Sequence, residues 1–474
     1  MYDVIIIGAG VIGSSIAREL SKYKLDIIVL EKENDVCEGT TSANSAIIHS
    51  GYDPEPNSKK AYYNVLGNQM YTQICEDLDV SFKRNGSITI AVDDEEVDIL
   101  DELFERSKLN NVETKLLNQD ELFEIEPNIT KKALKGLYAP TAGIINPFEL
   151  NVALMENAMD NGVKLSLNDE VTNIVLTDEG YDVYTNKNVY KAKYVINATG
   201  VYTDLINDKV NNHYFEIKAR KGEYFVLDHF DDEFIKHTLF NVPSSKGKGV
   251  IVAPTTSHNY IVGPSSEFVD CKDDVSTDFS TLSEVKKAAT NLVDVIDYSK
   301  QIRQFAGLRA VSSTKDFIID SPEKGFINVA GIQSPGLTAA PAIAVDVAKF
   351  IENKEINEKF NPKRKPMIRM KNFSDEQKNE MIKTNPSFGT IVCRCEKISE
   401  GEIIDVIHRN CGAKTIKGVK KRVRPGFGKC QGGFCESLVL KILSRELGTN
   451  ILDIEYGKKG SNVLLEPLGG DRNE

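Results

Sequence analysis

A glycine-rich turn close to the amino terminus constrains this chain more than any other feature. Tyr2–Ile7 is an apolar, β-branched run of the kind that forms a buried parallel strand. Glycines stand at positions 8, 10 and 13 directly after it, and residues 14–22 have a helical pattern. Residues 25–30 form a second apolar run. The order predicts a strand, a tight turn, a helix and a second buried strand.

The spacing of these glycines and of one acid predicts a dinucleotide site. Gly8 permits the tight turn, Gly10 lets the backbone approach a pyrophosphate, and Gly13 lets the helix pack closely on the strand. The helix start adds free N–H groups and partial positive charge. Glu31 stands 23 residues after Gly8 and is expected to accept hydrogen bonds from ribose hydroxyls. This unit serves FAD and NAD alike.

Charge and hydropathy indicate a soluble protein that does not bind nucleic acid. The 474 residues suggest three domains at about 150 residues each. A net charge of −12, from 58 basic and 70 acidic residues, disfavours a nucleic-acid partner. No run approaches the ~20 apolar residues of a membrane helix, and the start lacks signal-peptide features. We expect a cytoplasmic protein, and peripheral membrane contact stays open because an amphipathic patch leaves a weaker trace.

Further elements are predicted along the chain from periodicity and composition. Helices are expected at 95–123, 282–295 and 339–351, and strands at 163–176, 181–198 and 326–331, with several β-rich runs between 215 and 262. The lysine-, asparagine- and proline-rich stretch 352–371 is interpreted as an exposed linker.

Four of the eight cysteines form two close pairs near the carboxyl terminus. One residue separates Cys393 from Cys395, and four separate Cys430 from Cys435. In a cytosolic protein such clustering indicates metal binding rather than a disulfide framework. Zinc and a 2Fe–2S cluster are both chemically allowed. Cys411 lies between the pairs and is predicted to be a small buried residue.

A basic run precedes the second cysteine pair, with cations at Lys420, Lys421, Arg422 and Arg424. Such a run steers an acidic partner, or it is simply a solvated face of a helix. Both interpretations stay open from the sequence.

Three segments resemble the D-amino-acid-oxidase-like FAD oxidoreductases over about residues 1–360. They are the small-residue loop 39–45, the turn 197–200 and the segment 330–338, which recur in this order in that family. The resemblance implies FAD rather than NAD. In the family the last segment brings N–H donors and a helix start near the flavin, where they stabilise the reduced ring. The expected cofactor contacts are Gly8, Gly10, Gly13, Glu31, Lys32, Thr40, Thr41, Ser42, Ser45, Val171, Ala198, Gly200, Gly307, Gly331, Gly336, Leu337 and Thr338.

The cysteine pattern resembles the bacterioferritin-associated-ferredoxin-like domain, which carries a 2Fe–2S cluster. The four-residue gap of the second pair departs from the simplest form of that domain. It resembles the version fused to the A subunit of anaerobic glycerol-3-phosphate dehydrogenases. The implied role is an electron relay from reduced flavin, and the alternative is a structural zinc knuckle.

The combined resemblance implies an α/β and β-rich architecture. It consists of a Rossmann-like FAD-binding domain, an interwoven antiparallel-sheet substrate domain and a small helical iron–sulfur domain. We assign residues 1–85, 145–215 and 300–360 to the FAD-binding domain and 86–144 and 216–299 to the substrate domain. Residues 361–385 are a linker, 386–450 the 2Fe–2S domain and 451–474 a tail.

Catalytic candidates come from the same resemblance. His49 follows the FAD loop, and a histidine pKa near ~6.5 suits a general base at neutral pH. Arg309 stands in a Gly-Leu-Arg segment that faces the substrate pocket in the family, where a guanidinium matches carboxylate or phosphate. Lys221 and Tyr260 lie on expected strands of the substrate domain and are weaker candidates. The alternatives are a loop-ordering histidine, a structural ion pair and surface pairing between strands.

The resemblance implies an FAD-dependent glycerol-3-phosphate dehydrogenase of the anaerobic type, which converts sn-glycerol 3-phosphate to dihydroxyacetone phosphate. Residues 49–54 also resemble L-2-hydroxyglutarate dehydrogenases, whose substrate is a dicarboxylate. Amine oxidation is a third option, because the fold does not fix the chemistry. A non-catalytic electron-transfer subunit is a fourth. The expected partners are a small anionic hydroxylated substrate and an electron acceptor, either a protein, a subunit or quinone.

Overall fold

Strands and helices alternate through most of the chain. The computed structural model describes residues 1–230, 234–243 and 249–465. The strands are β1 (Tyr2–Ile7), β2 (Ile27–Leu30), β3 (Ile47–Ile48), β4 (Phe82–Lys83), β5 (Ser87–Ala91), β6 (Lys115–Asn118), β7 (Lys135–Ala139), β8 (Gly143–Ile145), β9 (Lys164–Ser166), β10 (Val171–Thr177), β11 (Gly180–Thr185), β12 (Val189–Asn197), β13 (Ile217–Leu227), β14 (Thr238–Asn241), β15 (Ile251–Pro254), β16 (Tyr260–Gly263), β17 (Glu267–Val269), β18 (Gln301–Ser312), β19 (Ile318–Glu323), β20 (Phe326–Ala330), β21 (Ile391–Cys393) and β22 (Ile398–Ser399).

The helices pack against these strands or form the carboxyl-terminal region. They are α1 (Val11–Leu20), α2 (Lys59–Leu78), α3 (Asp94–Leu109), α4 (Gln119–Ile125), α5 (Pro147–Asp160), α6 (Thr203–Asn207), α7 (Phe279–Ala289), α8 (Gly336–Val347), α9 (Asp375–Thr384), α10 (Glu400–Ile407), α11 (Ile416–Val423) and α12 (Glu436–Leu447). In the described ranges, no helix combines the length and apolar character needed to cross a membrane.

The first sheet is built around the predicted βαβ unit. Strand β1 pairs in parallel with β2 on one side and with β12 on the other, and β20 pairs in parallel with β12. Apolar side chains of α1, α5 and α8 bury one face of this sheet in a single hydrophobic cluster. The parallel strands are apolar on both faces because both are covered.

The second sheet is largely antiparallel and has two different faces. Its longest pair joins β13 to β18, and β16, β15, β14, β5 and β7 continue it. Phe225, Leu227 and Val262 point to one face, where they pack with α7 in a hydrophobic cluster. Successive residues of a strand point to opposite faces, so the intervening side chains point to the other face. That face lines a large cavity shared with the first sheet.

Two element predictions differ from the structure. The helix expected at 95–123 is interrupted, because Lys115–Asn118 pairs with β7 as an edge strand of the second sheet. Residues 301–312, assigned to the FAD-binding domain, form β18 of the second sheet instead. In both cases the partner strand is distant in sequence, so local pattern did not reveal the pairing.

The predicted linker at 352–371 is exposed over most of its length, as expected, but three of its side chains are buried against the body of the protein. Arg364 is buried and donates two hydrogen bonds to Glu156 of α5, while Arg369 pairs with Asp79 and Glu149. Met370 is also buried. We call residues 361–371 the strap. The next part of the assigned linker forms α9, which follows a capping box at Ser374.

A small carboxyl-terminal domain follows the strap. Helices α10, α11 and α12 surround an apolar cluster that includes Ile403, Val419 and Leu443. The described part of the assigned tail, residues 451–465, packs against the protein. Ile454 joins this cluster, and Glu455 accepts a hydrogen bond from Asn34. Residues 466–474 of that assignment lie outside the described residues.

Candidate active site

The glycine turn forms a cradle that side chains would fill. Gly8 has φ +103°, and a Cβ there would lie 2.6 Å from the carbonyl oxygen of Ala198. A Cβ on Gly13 would lie 1.9 Å from the oxygen of Gly8. Helix α1 begins at Val11 with no side chain capping it from Gly10. The helix start therefore presents backbone N–H groups and positive charge to the cavity, as a diphosphate requires.

The acid at the end of β2 lies beside this cradle. The Glu31 carboxylate accepts hydrogen bonds from the backbone N–H groups of Ala9 at 2.7 Å and Glu33 at 3.0 Å. Burial raises the pKa of Glu31, and these two bonds oppose the shift. Lys32 lies over the ring of Tyr202 at 4.1 Å. Both residues line the cavity, where a ribose would meet Glu31.

The small-residue loop 39–45 ties the two sheets together at the cavity. Thr41 Oγ1 accepts from the Val11 N–H at 3.0 Å, and Thr40 Oγ1 donates to the Leu308 carbonyl at 2.6 Å. Ser45 shares a hydrogen bond with the Tyr224 hydroxyl at 3.0 Å. A Cβ on Gly307 would lie 2.0 Å from the Ala43 oxygen, so β18 passes directly over the loop. Small residues are needed here because two backbones meet.

One cavity of about 2260 Å³ joins most of the expected cofactor contacts. It exceeds the ~300–1,000 Å³ of a typical ligand site, so it has room for a dinucleotide and a substrate. Gly13, Gly331 and Thr338 do not line it: Gly13 serves packing, Gly331 takes a turn with φ +68°, and Thr338 holds the backbone of His49. The residues that do line it are Gly8, Gly10, Glu31, Lys32, Thr40, Thr41, Ser42, Ser45, Val171, Ala198, Gly200, Gly307, Gly336 and Leu337.

His49 lies at the cavity wall directly after β3. Its backbone N–H donates to Thr338 Oγ1 at 2.9 Å, and its carbonyl accepts from the side-chain amides of Asn64 at 2.8 Å and Asn68 at 2.9 Å. Its Nε2 lies 3.4 Å from Ser334 Oγ. Three backbone hydrogen bonds thus fix the residue, and the imidazole faces a segment that precedes the start of α8.

Two arginines face each other across β13 and β18 on the cavity side. Arg220 and Arg309 are directly paired in the register. Arg309 donates to the Ser265 carbonyl at 2.9 Å, and Arg220 donates to Gln333 Oε1 at 3.1 Å. The buried Nε of Arg220 has no hydrogen-bond partner among the described residues. Burial lowers the pKa of Arg220, and the charge of Arg309 lowers it further, so an anion between them would be stabilised.

Lys221 and Tyr260 stand on the opposite face of the same sheet and do not line the cavity. Lys221 pairs with Asp274 at 2.9 Å. The Tyr260 hydroxyl accepts from the backbone N–H of Phe234 at 3.1 Å, and its ring packs in the apolar cluster. The alternation of β13 would have selected Arg220, one residue before Lys221, as the partner of Arg309.

The four predicted metal ligands lie in two segments, one that begins with Cys393 at the end of β21 and one that ends with Cys435 directly before α12. Cys395 Sγ lies 3.6 Å from Cys430 Sγ. A hydrogen bond from the Cys435 thiol lowers the pKa of Cys393 to about 6 and raises the pKa of Cys435. In the described ranges, no three histidine, cysteine or acidic side chains stand in an arrangement that would hold a metal ion. The donor set of four thiols is chemically suited to a soft iron or zinc centre. Cys411 is buried, as predicted.

The basic run before Cys430 is an internal contact rather than a solvated face. Lys421 pairs with Asp35 at 2.8 Å and Glu38 at 2.6 Å, and Arg422 holds Asp35 with two hydrogen bonds of 2.9 Å. Asp35, Lys421, Arg422 and Lys420 are buried. The carboxyl-terminal domain is therefore locked onto the loop that leads into the FAD cradle.

The cavity also reaches this domain. Lys420, Phe427 and Gln431 line it, and the Phe427 ring lies 5.5 Å from that of Phe148 at the start of α5. Burial lowers the pKa of Lys420 to about 8, and the charge of Arg303 contributes. Because Gln431 directly follows Cys430, the second cysteine segment lies beside the cavity, where the cavity borders the carboxyl-terminal domain.

Comparisons with known proteins agree with this geometry. The family described as FAD dependent oxidoreductase matches residues 3–350, and the BFD-like [2Fe-2S] binding domain matches residues 391–445. The glycerol 3-phosphate dehydrogenase of Caloramator mitchellensis is 47% identical over 98% of this chain and 99% of that protein. The L-2-hydroxyglutarate dehydrogenase of Escherichia coli is 30% identical over 56% of this chain and 64% of that protein.

A solved structure agrees as well. The L-α-glycerophosphate oxidase of Mycoplasma pneumoniae with FAD bound superposes with a TM-score of 0.75 at 31% identity, covering 77% of this chain and 99% of that one. The predicted fold class is confirmed by this match and by the two family matches. The chain belongs to the FAD dependent oxidoreductases and carries a BFD-like [2Fe-2S] binding domain after the region that defines that family.

Proposed function

We propose that this protein oxidises sn-glycerol 3-phosphate to dihydroxyacetone phosphate, with FAD as the hydride acceptor and the carboxyl-terminal domain as the exit for electrons. The observation that carries the proposal is the pair of arginines, Arg220 and Arg309, facing each other at the cavity wall. A phosphate monoester carries about −1.5 to −2 charges at pH 7, which matches two guanidinium groups. The full-length similarity to a glycerol 3-phosphate dehydrogenase supports this substrate.

The protein's own residues would perform three tasks. Arg309 and Arg220 bind the phosphate and so orient the carbon that carries the secondary hydroxyl. His49 accepts the proton of that hydroxyl at Nε2, which Ser334 Oγ holds at 3.4 Å. Bound FAD supplies a flavin ring that accepts the hydride. The start of α8, where Gly336 and Leu337 line the cavity, stabilises negative charge that develops next to it.

L-2-Hydroxyglutarate is the second candidate substrate, because it is also a dianionic secondary alcohol and the same groups would serve it. The similarity to its dehydrogenase covers 56% of this chain, against 98% for the glycerol 3-phosphate enzyme. We therefore rank it second.

Anaerobic mixing of the FAD-loaded protein with each substrate tests the proposal. Glycerol 3-phosphate should bleach the flavin absorbance within one turnover, while L-2-hydroxyglutarate and glycine should leave it oxidised. The His49→Ala variant should retain FAD and lose the bleaching. Oxidised flavin after mixing with glycerol 3-phosphate would contradict the proposal. Bleaching by L-2-hydroxyglutarate alone would identify that compound as the substrate in place of glycerol 3-phosphate.

A further inference from the structure

We propose that the exposed surface around the cysteine loops docks an acidic electron-acceptor protein. We call it the docking surface: Arg394, Lys397, Lys429, Phe434, Leu438 and Lys441. The inference rests on the proposed function, since it assigns the destination of the electrons taken from the substrate. It concerns side chains that are distinct from the buried basic run at 420–424.

An apolar ridge stands at the centre of this surface. Phe434 precedes the predicted ligand Cys435 and is 81% exposed, and Leu438, on the first turn of α12, is 43% exposed. Neighbouring exposed apolar side chains that are bordered by charged residues are typical of interaction sites. Cys395 is also exposed, so the cysteine loops themselves reach the surface of the protein.

Four exposed cations belong to the same cysteine loops and helix as the two apolar side chains. Arg394, Lys397, Lys429 and Lys441 are exposed, and no ion pair involves them in the part of the chain that the structure describes. The three acids of these segments already have partners: Glu396 pairs with Arg424, Glu446 pairs with His408 and Arg445, and Glu436 acts on Lys420. The docking surface therefore carries unbalanced positive charge.

The charge of the remaining molecule makes this surface selective. The whole chain has a net charge of −12, so the protein as a whole repels an acidic partner, while the docking surface attracts it. A small apolar centre with a charged rim suits a short-lived encounter, since redox complexes bury less than about 1,200 Å². Electrostatic attraction would set the rate of that encounter more than its affinity.

The electron balance defines the partner. Oxidation of one secondary alcohol to a ketone releases two electrons and two protons. A 2Fe–2S centre carries one electron at a time, so the acceptor takes the two electrons in two transfers and the protons pass to solvent. A flavin- or iron–sulfur-containing protein with an acidic surface meets both requirements.

A charge-reversal pair tests the docking surface. Holoenzyme carrying Lys429→Glu and Lys441→Glu is compared with wild type and with a control carrying Lys131→Glu and Lys132→Glu, which are exposed on the loop before β7. The probe is a purified acidic flavodoxin. Its binding to oxidised holoenzyme is measured by calorimetry, and its anaerobic reduction is followed by stopped flow at several salt concentrations.

We expect the Lys429/Lys441 variant to reduce flavodoxin at least about tenfold more slowly at low salt, with a weaker salt dependence and weaker binding. The control should behave as wild type. Equal rates and equal binding in both variants would overturn the inference. Flavin bleaching by glycerol 3-phosphate is also measured without flavodoxin, which separates a failure of the proposed function from a failure of docking. If glycerol 3-phosphate does not bleach the flavin, dithionite-reduced holoenzyme serves as the electron donor to flavodoxin.

Sedimentation with vesicles of phosphatidylcholine and phosphatidylglycerol separates a membrane role from a protein role. Wild type should remain in the supernatant. Vesicle binding that the Lys429/Lys441 variant loses, together with unchanged reduction of flavodoxin, would assign the surface to anionic lipid and overturn the inference.

Discussion

Arg422 of α11 and Asp35 of the loop after β2 form a two-pronged ion pair, with both N–O distances at 2.9 Å, although 387 residues separate them in the chain. Both side chains are buried. A pair of this kind connects the carboxyl-terminal domain to the segment that leads into the FAD cradle. Its removal should affect the junction between domains before it affects either domain.

Asp35→Asn should destabilise this junction by about 3–5 kcal/mol, because it leaves Arg422 and Lys421 buried without a full countercharge. The urea midpoint of the protein should fall, and proteases should cut near the strap. Asp375→Asn is the control, since its partner Lys378 is on the surface and the pair is worth about 0–1 kcal/mol. Equal midpoints for both variants would contradict the expectation.

Acid should release the same junction. Burial alone would raise the pKa of Asp35, but the charges of Arg422 and Lys421 outweigh it and hold the pKa well below its usual range. A depressed folded pKa gives stability that is present above the unfolded pKa of about 3.9 and is lost as the pH falls below it. Urea midpoints measured at intervals from pH 7 to pH 3 should therefore fall most steeply below about pH 4, and Asp35→Asn should flatten that fall.

Gly13→Ala should weaken FAD binding, because its Cβ would lie 1.9 Å from the backbone oxygen of Gly8. We expect FAD affinity to fall at least about tenfold, equivalent to about 1.4 kcal/mol. Gly39→Ala is the matched control, since nothing lies within 4 Å of its added Cβ. Absorbance of the purified proteins and titration with FAD measure the difference, and an FAD affinity of Gly13→Ala equal to that of Gly39→Ala would count against the cradle.

Arg220→Gln and Lys221→Gln compare neighbouring residues on opposite faces of β13. Loss of Arg220 removes a charged hydrogen-bond donor worth about 1.5–3 kcal/mol, so KM for glycerol 3-phosphate should rise roughly 10- to 100-fold. Lys221→Gln should lower the thermal midpoint through its pairs with Asp274 and Glu223 and leave KM near the wild-type value. The reverse pattern in steady-state kinetics would place the anion site on the other face.

Cys435→Ser should remove the iron and sulfide of the carboxyl-terminal domain while FAD and its reduction by substrate remain. Cys411→Ser is the control, because Cys411 is buried beside Arg422 and away from the paired thiols. Metal and sulfide analysis of the purified proteins decides the outcome. Zinc without sulfide in the wild type would assign a structural knuckle in place of an electron relay.

The local part of the FAD site could be predicted from the sequence because its signals are close together. A buried strand, three glycines, a helix and Glu31 lie within thirty-one residues, and β1 begins and ends where the pattern indicates. The loop 39–45 and the start of α8 were located by family resemblance. The spacing of the four cysteines was enough to predict them as metal ligands.

Long-range pairing explains what the sequence did not reveal. Which face of β13 meets the cavity depends on its neighbours, so Lys221 and Tyr260 were chosen and Arg220 was not. The basic run at 420–424 looks solvated until Asp35 and Glu38 are brought against it. The strap looks exposed by composition, yet its arginines meet acids more than 200 positions earlier in the chain.

Glu156 lies between Arg364 of the strap and Arg409 of the carboxyl-terminal domain, and all three side chains are almost completely shielded from water. Swinging the domain away would break the Glu156–Arg409 ion pair and expose the packed surfaces of the junction to water. A tethered carrier that travels between donor and acceptor would have to break this ion pair in every cycle. We therefore expect the carboxyl-terminal domain to keep its place on the body of the protein while electrons pass through it.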